Sequence, residues 1–128
     1  MKLSLLRNLI AAGAVLGALL APETAFAQDS RGVILGTLTD SGGGLVPGAS
    51  VTVTNEGTNV SVNLVTDSKG AYQARNLNSG IYSVTARLDG FKTAVRRGIG
   101  VRGGDVIGID LTLSTGGISE VVVVTAEA

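Results

Sequence analysis

Two tyrosines, a scatter of aspartates and a run of four valines are what this sequence can offer a substrate or a partner. The chemistry open to them is bounded by what is missing. The sequence contains no histidine and no cysteine. That removes nucleophile–base pairs built on imidazole or thiolate, and most zinc ligand sets. No catalytic, cofactor-binding or metal-binding residue is expected, and the chain reads as non-enzymatic. Asp67-Ser68-Lys69-Gly70 offers one carboxylate where a calcium site wants about six to eight oxygens. Asp opening and Gly closing a four-residue segment is turn chemistry instead. Tyr72 and Tyr82 could stack on sugar rings, but each falls in the apolar register of its segment and is expected in the core. Val121-Val122-Val123-Val124 is a different matter. A β-branched run beyond Gly116-Gly117 is suited to pairing with a strand of another protein. It could also serve as a last strand of the fold. Seven strands can be counted without it, which favours an exposed or partner-bound segment.

The elements that must position these residues begin after an address label. Lys2 and Arg7 precede an unbroken apolar run from Leu9 to Ala21, Pro22 ends it, and Ala25-Phe26-Ala27 supplies small residues at the cleavage positions. This order predicts a secretory signal peptide over 1–27 and an exported protein; the run is too short for a membrane span of about 20 residues. Setting aside Lys2, Arg7 and Glu23 leaves eight basic and nine acidic residues of the ten each in the whole chain. The mature part therefore carries no electrostatic footprint for nucleic acid. Arg96-Arg97 with Arg102 is its one basic cluster, expected at a solvated strand end. Without cysteine, neither disulfides nor a lipidated cysteine can contribute, and apolar burial must stabilise the domain.

The pattern along the mature chain has a period of two. Val33 to Asp40 places Ile34, Gly36 and Leu38 on one face. Gly36 inside a strand marks a bulge or the close approach of another backbone. Pro47-Gly48 suits the centre of a type II turn. Ser50 to Asn55 alternates valine with threonine, and Glu56-Gly57-Thr58 reads as a tight turn with Gly57 at positive φ. Asn59 to Thr66 alternates less cleanly and reads as an edge strand. Thr66 to Phe91 forms a hairpin-like unit, with turns at Asp67–Gly70 and Asn78–Gly80 around Tyr72, and with Tyr82, Val84 and Ala86 alternating after them. Lys92 to Arg97 is weakly patterned, Gly98 to Val101 could begin a short strand, and Ile107 to Leu113 is the cleanest alternation in the chain. Strands at Val33, Val51, Val62, Tyr72, Tyr82, Val101 and Ile109, with glycine-rich turns, predict an all-β, seven-stranded antiparallel β-sandwich.

Several of these motifs resemble the carboxypeptidase regulatory-like domain family: Ile34-x-Gly36-x-Leu38-x-Asp40, Val46-Pro47-Gly48-Ala49-x-Val51 and Thr66-Asp67-x-x-Gly70-x-Tyr72. Asn76-Leu77-x-x-Gly80-x-Tyr82-x-Val84-x-Ala86 and Gly90-Phe91 follow in the same order. The resemblance spans about residues 32–113. It implies a transthyretin-like, carbohydrate-binding-like sandwich over 28–114 that acts as a module and not as an enzyme. Such domains commonly follow the signal peptide of TonB-dependent outer-membrane receptors. The segment Glu120-Val121-Val122-Val123-Val124-Thr125-Ala126, within a linker over 115–128, resembles the TonB box of those receptors, which pairs as a strand with the energy transducer. The resemblance thus implies an accessory domain in the periplasm or outer membrane of a Gram-negative bacterium. Its partners would be a TonB-like transducer and, in a longer receptor, a plug and barrel serving transport. The competing expectation is a module that binds glycan, or a structural, adhesive sandwich.

Overall fold

The computed structural model describes residues 30–116 and 121–125, together with Pro22. Among the described residues every regular element is a strand. The expected signal peptide lies outside them except for Pro22. No helix among them is long and apolar enough to cross a membrane.

The strands are β1 (Gly32–Asp40), β2 (Ser50–Asn55), β3 (Ser61–Val65), β4 (Ala71–Leu77), β5 (Gly80–Arg87), β6 (Thr93–Val101), β7 (Val106–Gly108), β8 (Leu111–Leu113) and β9 (Val121–Thr125). They form two sheets. One has β1 at its centre, flanked by β4 on one side and by β7 and then β8 on the other; the second runs β3-β2-β5-β6-β9. Alternation supplies the core between them. Ile34, Leu38, Tyr72, Ala74, Leu77 and Leu113 face inward from the first sheet, and Val51, Val53, Tyr82, Val84, Ala86 and Ile99 from the second. The residues between them stay half-buried or exposed because successive side chains point to opposite faces. The mostly antiparallel two-sheet sandwich is the fold the period-2 pattern predicts.

Among the described residues there are nine strands where the sequence predicts seven. One addition is β9. The other arises because the expected strand Ile107–Leu113 is interrupted at Ile109-Asp110. The register against β1 is the same on both sides, Ile34↔Ile107 and Leu38↔Leu111. In the gap, the Asp110 carboxylate takes the Thr37 N–H at 2.8 Å, and the Ile109 carbonyl accepts from the Tyr72 hydroxyl. Side chains replace part of the ladder, so one strand becomes two. The all-antiparallel expectation is also corrected, since β7 and β8 run parallel to β1, and β9 runs parallel to β6.

Thr66–Phe91 is not a hairpin. β4 pairs with β1, while β5 pairs with β2 and β6 in the opposite sheet. The Asn78–Gly80 turn therefore carries the chain across the core, and the Tyr82 hydroxyl secures the crossing by donating to the Asn78 carbonyl at 2.8 Å. Lys92–Arg97 and Gly98–Val101 merge into the single strand β6. A register shift opposite Tyr82/Val84 aligns both Val84 with Arg96 and Tyr82 with Ile99. That extra residue breaks the alternation and hides the strand from a period-2 reading. Gly48 does take positive φ, as the Pro-Gly turn requires. Gly57 does not; Asn59 takes that conformation, with φ 59°. The Asn55 side chain caps the turn instead, accepting from the Gly57 and Thr58 N–H groups.

Candidate functional site

Of the segment Glu120–Ala126, the structure describes Val121 to Thr125; Glu120 and Ala126 lie outside the described residues. Four β-branched residues in a row favour extended backbone, and here they form β9 at the edge of the five-stranded sheet. The pairing is parallel and runs from Thr93↔Val121 to Arg97↔Thr125. The isolated bridge Phe91↔Thr115 brings the chain from the first sheet to the start of β6, just upstream of this pairing.

β9 differs in burial from the strands beside it. Val51, Val53 and Val84 are 0% exposed, whereas Val121, Val122, Val123 and Val124 are 56%, 44%, 52% and 45% exposed. Both faces of β9 thus meet solvent, and none of its valines belongs to the core cluster. Its attachment is nearly balanced. Ordering a residue costs about 1–2 kcal/mol, a ladder hydrogen bond returns about 0.5–1.5, and half-burying a valine returns about 1. Along the free side of β9 the backbone N–H and C=O groups of an uncharged strand are open to a further strand.

β6 carries a feature that the sequence misassigned. Arg96 was expected at a solvated strand end. Its alignment with inward-facing Val84 turns the side chain toward the interior, and its Nε is buried with no hydrogen-bond partner. Across the strand pair Arg96 stands opposite Val124, and its charge acts on Tyr72 of the first sheet. No clear sequence signal marks it, because its face depends on how β5 and β6 align.

The tyrosines are structural. Both are buried, and neither forms a platform for sugar stacking. Burial pushes the Tyr72 phenol above its ordinary range; Asp110 adds to the effect and Arg96 opposes it. Asp67 shapes its turn as expected. Its carboxylate accepts the N–H groups of Lys69 at 2.9 Å and Ala71 at 3.0 Å. Those bonds, Ala71 first, hold its pKa below the ordinary 3.8. Asp67 and Asp110 also border a groove of about 520 Å³ floored by Leu35 and Leu64. Both carboxylates are engaged by backbone N–H groups, and no group of three or more His, Cys, Asp or Glu among the described residues could hold a metal ion.

Two packed sheets, a Tyr-secured crossing and glycine turns define a transthyretin-like β-sandwich module. A profile of the carboxypeptidase regulatory-like domain family matches residues 33–114, and the chain belongs to that family. Among solved structures, the Bacillus anthracis TIE protein is similar, with 28% identity and a TM-score of 0.57 over 67% of this chain and 17% of that one. A Bacteroides uniformis protein described as carbohydrate binding shares the fold at 19% identity and TM-score 0.53, covering 65% of this chain and 41% of its own. Klebsiella pneumoniae 5-hydroxyisourate hydrolase is 26% identical with TM-score 0.51, covering 68% of this chain and 93% of its own. The chain therefore spans well under two thirds of the first two. No curated protein sequence matches it.

Proposed function

We propose that this protein is a non-catalytic accessory module of a TonB-dependent outer-membrane receptor, and that the segment Glu120–Ala126 contacts its partner by strand addition. The observation that carries the reading is the character of β9: an uncharged run of four valines at a sheet edge, each about half exposed and none in the core cluster. Burying those valines against a partner adds apolar contact that the sandwich itself leaves unused, while the ladder groups on the open side supply directional pairing. The partner is the periplasmic domain of a TonB-like energy transducer. The sandwich acts as spacer and docking body, exported behind the signal peptide over 1–27 to the periplasmic side of the outer membrane. Catalysis has no support in the residues: the sequence holds no histidine or cysteine, which leaves a hydrolase-like sandwich without imidazole or thiolate for proton or nucleophile chemistry.

The test is binding of the mature protein to the cognate soluble transducer domain. Deleting Val121 to Ala126 abolishes that binding on this reading. Retained binding by the deletion variant overturns it.

A further inference from the structure

We propose that the free edge of β3 pairs with the same edge of a second copy of this chain, in a two-fold arrangement centred on Asn63. The proposal is independent of the strand-addition reading, because β3 and β9 lie at opposite edges of the five-stranded sheet. In an antiparallel pair, alternate residues direct their backbone groups to opposite sides. The bonds at either end of β3 fix which residues face which way. The Asn55 N–H donates to the Val60 carbonyl, and the Thr66 N–H to the Ala49 carbonyl. With Val53↔Val62 and Val51↔Leu64 in register, Val62 and Leu64 spend their N–H and C=O groups on β2. Ser61, Asn63 and Val65 therefore turn theirs outward, along an edge that no described strand covers.

A second copy fits this edge. No charged residue and no proline occurs from Gly57 to Thr66, so charge and proline do not guard it against pairing. Self-pairing also brings no like charges together. The two-fold register centred on Asn63 sets Ser61 against the second copy's Val65 and Asn63 against itself, so every outward-directed residue of the strand is paired. Centring on Val62 or Leu64 leaves Val65 or Ser61 outside the paired strands. The chosen register also sets Val62 beside the second copy's Leu64 as a non-hydrogen-bonded pair, the kind in which side chains lie closer. The sandwich is open here. Val60 and Val65 are 66% and 70% exposed, and grooves of about 520 and 250 Å³ open beside Leu64 and beside Val60 and Val62. Pairing covers apolar surface that the single chain leaves in water, and an isologous contact closes at a dimer. A five-residue strand makes a contact at the small end of specific interfaces, under about 1,200 Å². The dimer is therefore reversible and concentration-dependent.

Sedimentation velocity of the mature protein, from low to high micromolar concentration, tests this. The mass is expected to rise from monomer toward dimer across that range. Asn63→Lys and Asn63→Glu each set like charges face to face at the two-fold axis and abolish the rise. An equimolar mixture of the two restores it as a heterodimer, because the centre pairs residue 63 with itself. Asn63 is exposed, and thermal unfolding checks that each variant is folded. Hydrogen exchange of the native protein needs no variant: at high concentration the Asn63 and Val65 amides slow by about threefold or more. The Val62 and Leu64 amides, already bonded to β2, do not. A native protein that stays monomeric, or exchange at Asn63 and Val65 that ignores concentration, overturns the proposal. A mass rise that Asn63→Lys leaves intact overturns it too and moves the contact to another edge. A mixture that fails to restore the lost dimer overturns the pairing of residue 63 with itself, and the proposal with it.

Discussion

At Gly36 three groups converge on one backbone position. A Cβ there would overlap the Ile109 carbonyl oxygen and sit 2.9 Å from the Tyr72 hydroxyl, which is itself bonded to that carbonyl. Gly36→Ala is therefore expected to destabilise the sandwich by about 1–3 kcal/mol through overpacking, read from a shift in urea midpoint. Tyr72→Phe leaves the Ile109 carbonyl without this donor in a buried place, at a cost of about 1–3 kcal/mol. The same phenol predicts a pH dependence. Its pKa in the fold is raised above the ordinary 10.0, so its contribution is complete below that value and lost as pH rises past it, where the unfolded chain ionises first. Thermal unfolding should show an alkaline decline that Tyr72→Phe reduces. Asp67 works in the opposite direction. Its lowered pKa means that its contribution is present above 3.8 and lost as pH falls through that range, and Asp67→Asn should flatten the acid limb of the same curve.

At the scale of elements, the difference between β9 and the inner strands gives a direct comparison. Leu38 is 0% exposed, and Leu38→Ala is expected to cost about 2–5 kcal/mol. Val123→Ala, at a half-exposed position outside the core, should change stability by no more than about 0.5 kcal/mol. Denaturant titrations of the two variants check the claim that β9 is peripheral to folding. The same contrast explains what could be read from the sequence. β1, β2 and β5 alternate without interruption, so period-2 reasoning found them and their inward residues, including Tyr82, Val84 and Ala86; β4, bracketed by its turns, slips at Asn76, where φ is 59°, so that Leu77 faces inward three residues after Ala74. β6 escaped because its bulge adds a residue between Arg96 and Ile99, at Arg97-Gly98, and interrupts the alternation. The hairpin expectation failed for a related reason: local turn residues at Asn78–Gly80 specify a reversal but not which sheet receives the next strand. Whether β9 returns to its own sheet depends on the edge that β6 leaves open, which is a property of the assembled sandwich.

The molecule as a whole joins a sandwich that holds the core cluster to a half-exposed edge strand, β9. Residues 33–114 place the chain in the carboxypeptidase regulatory-like domain family, and that span contains the complete core cluster. β9, the strand proposed to contact a partner, lies just beyond it. The Arg96 environment and the parallel register of β9 were not legible from sequence, because both depend on how β5, β6 and β9 align. The most direct measurement substitutes proline within the contact strand, because proline removes a pairing N–H without touching the core. Titrated by calorimetry with the cognate transducer domain, Val122→Pro/Val123→Pro is predicted to lose binding at least tenfold while its thermal unfolding stays within a few degrees of the native protein. Undiminished binding by that variant, with the sandwich intact, would contradict the account.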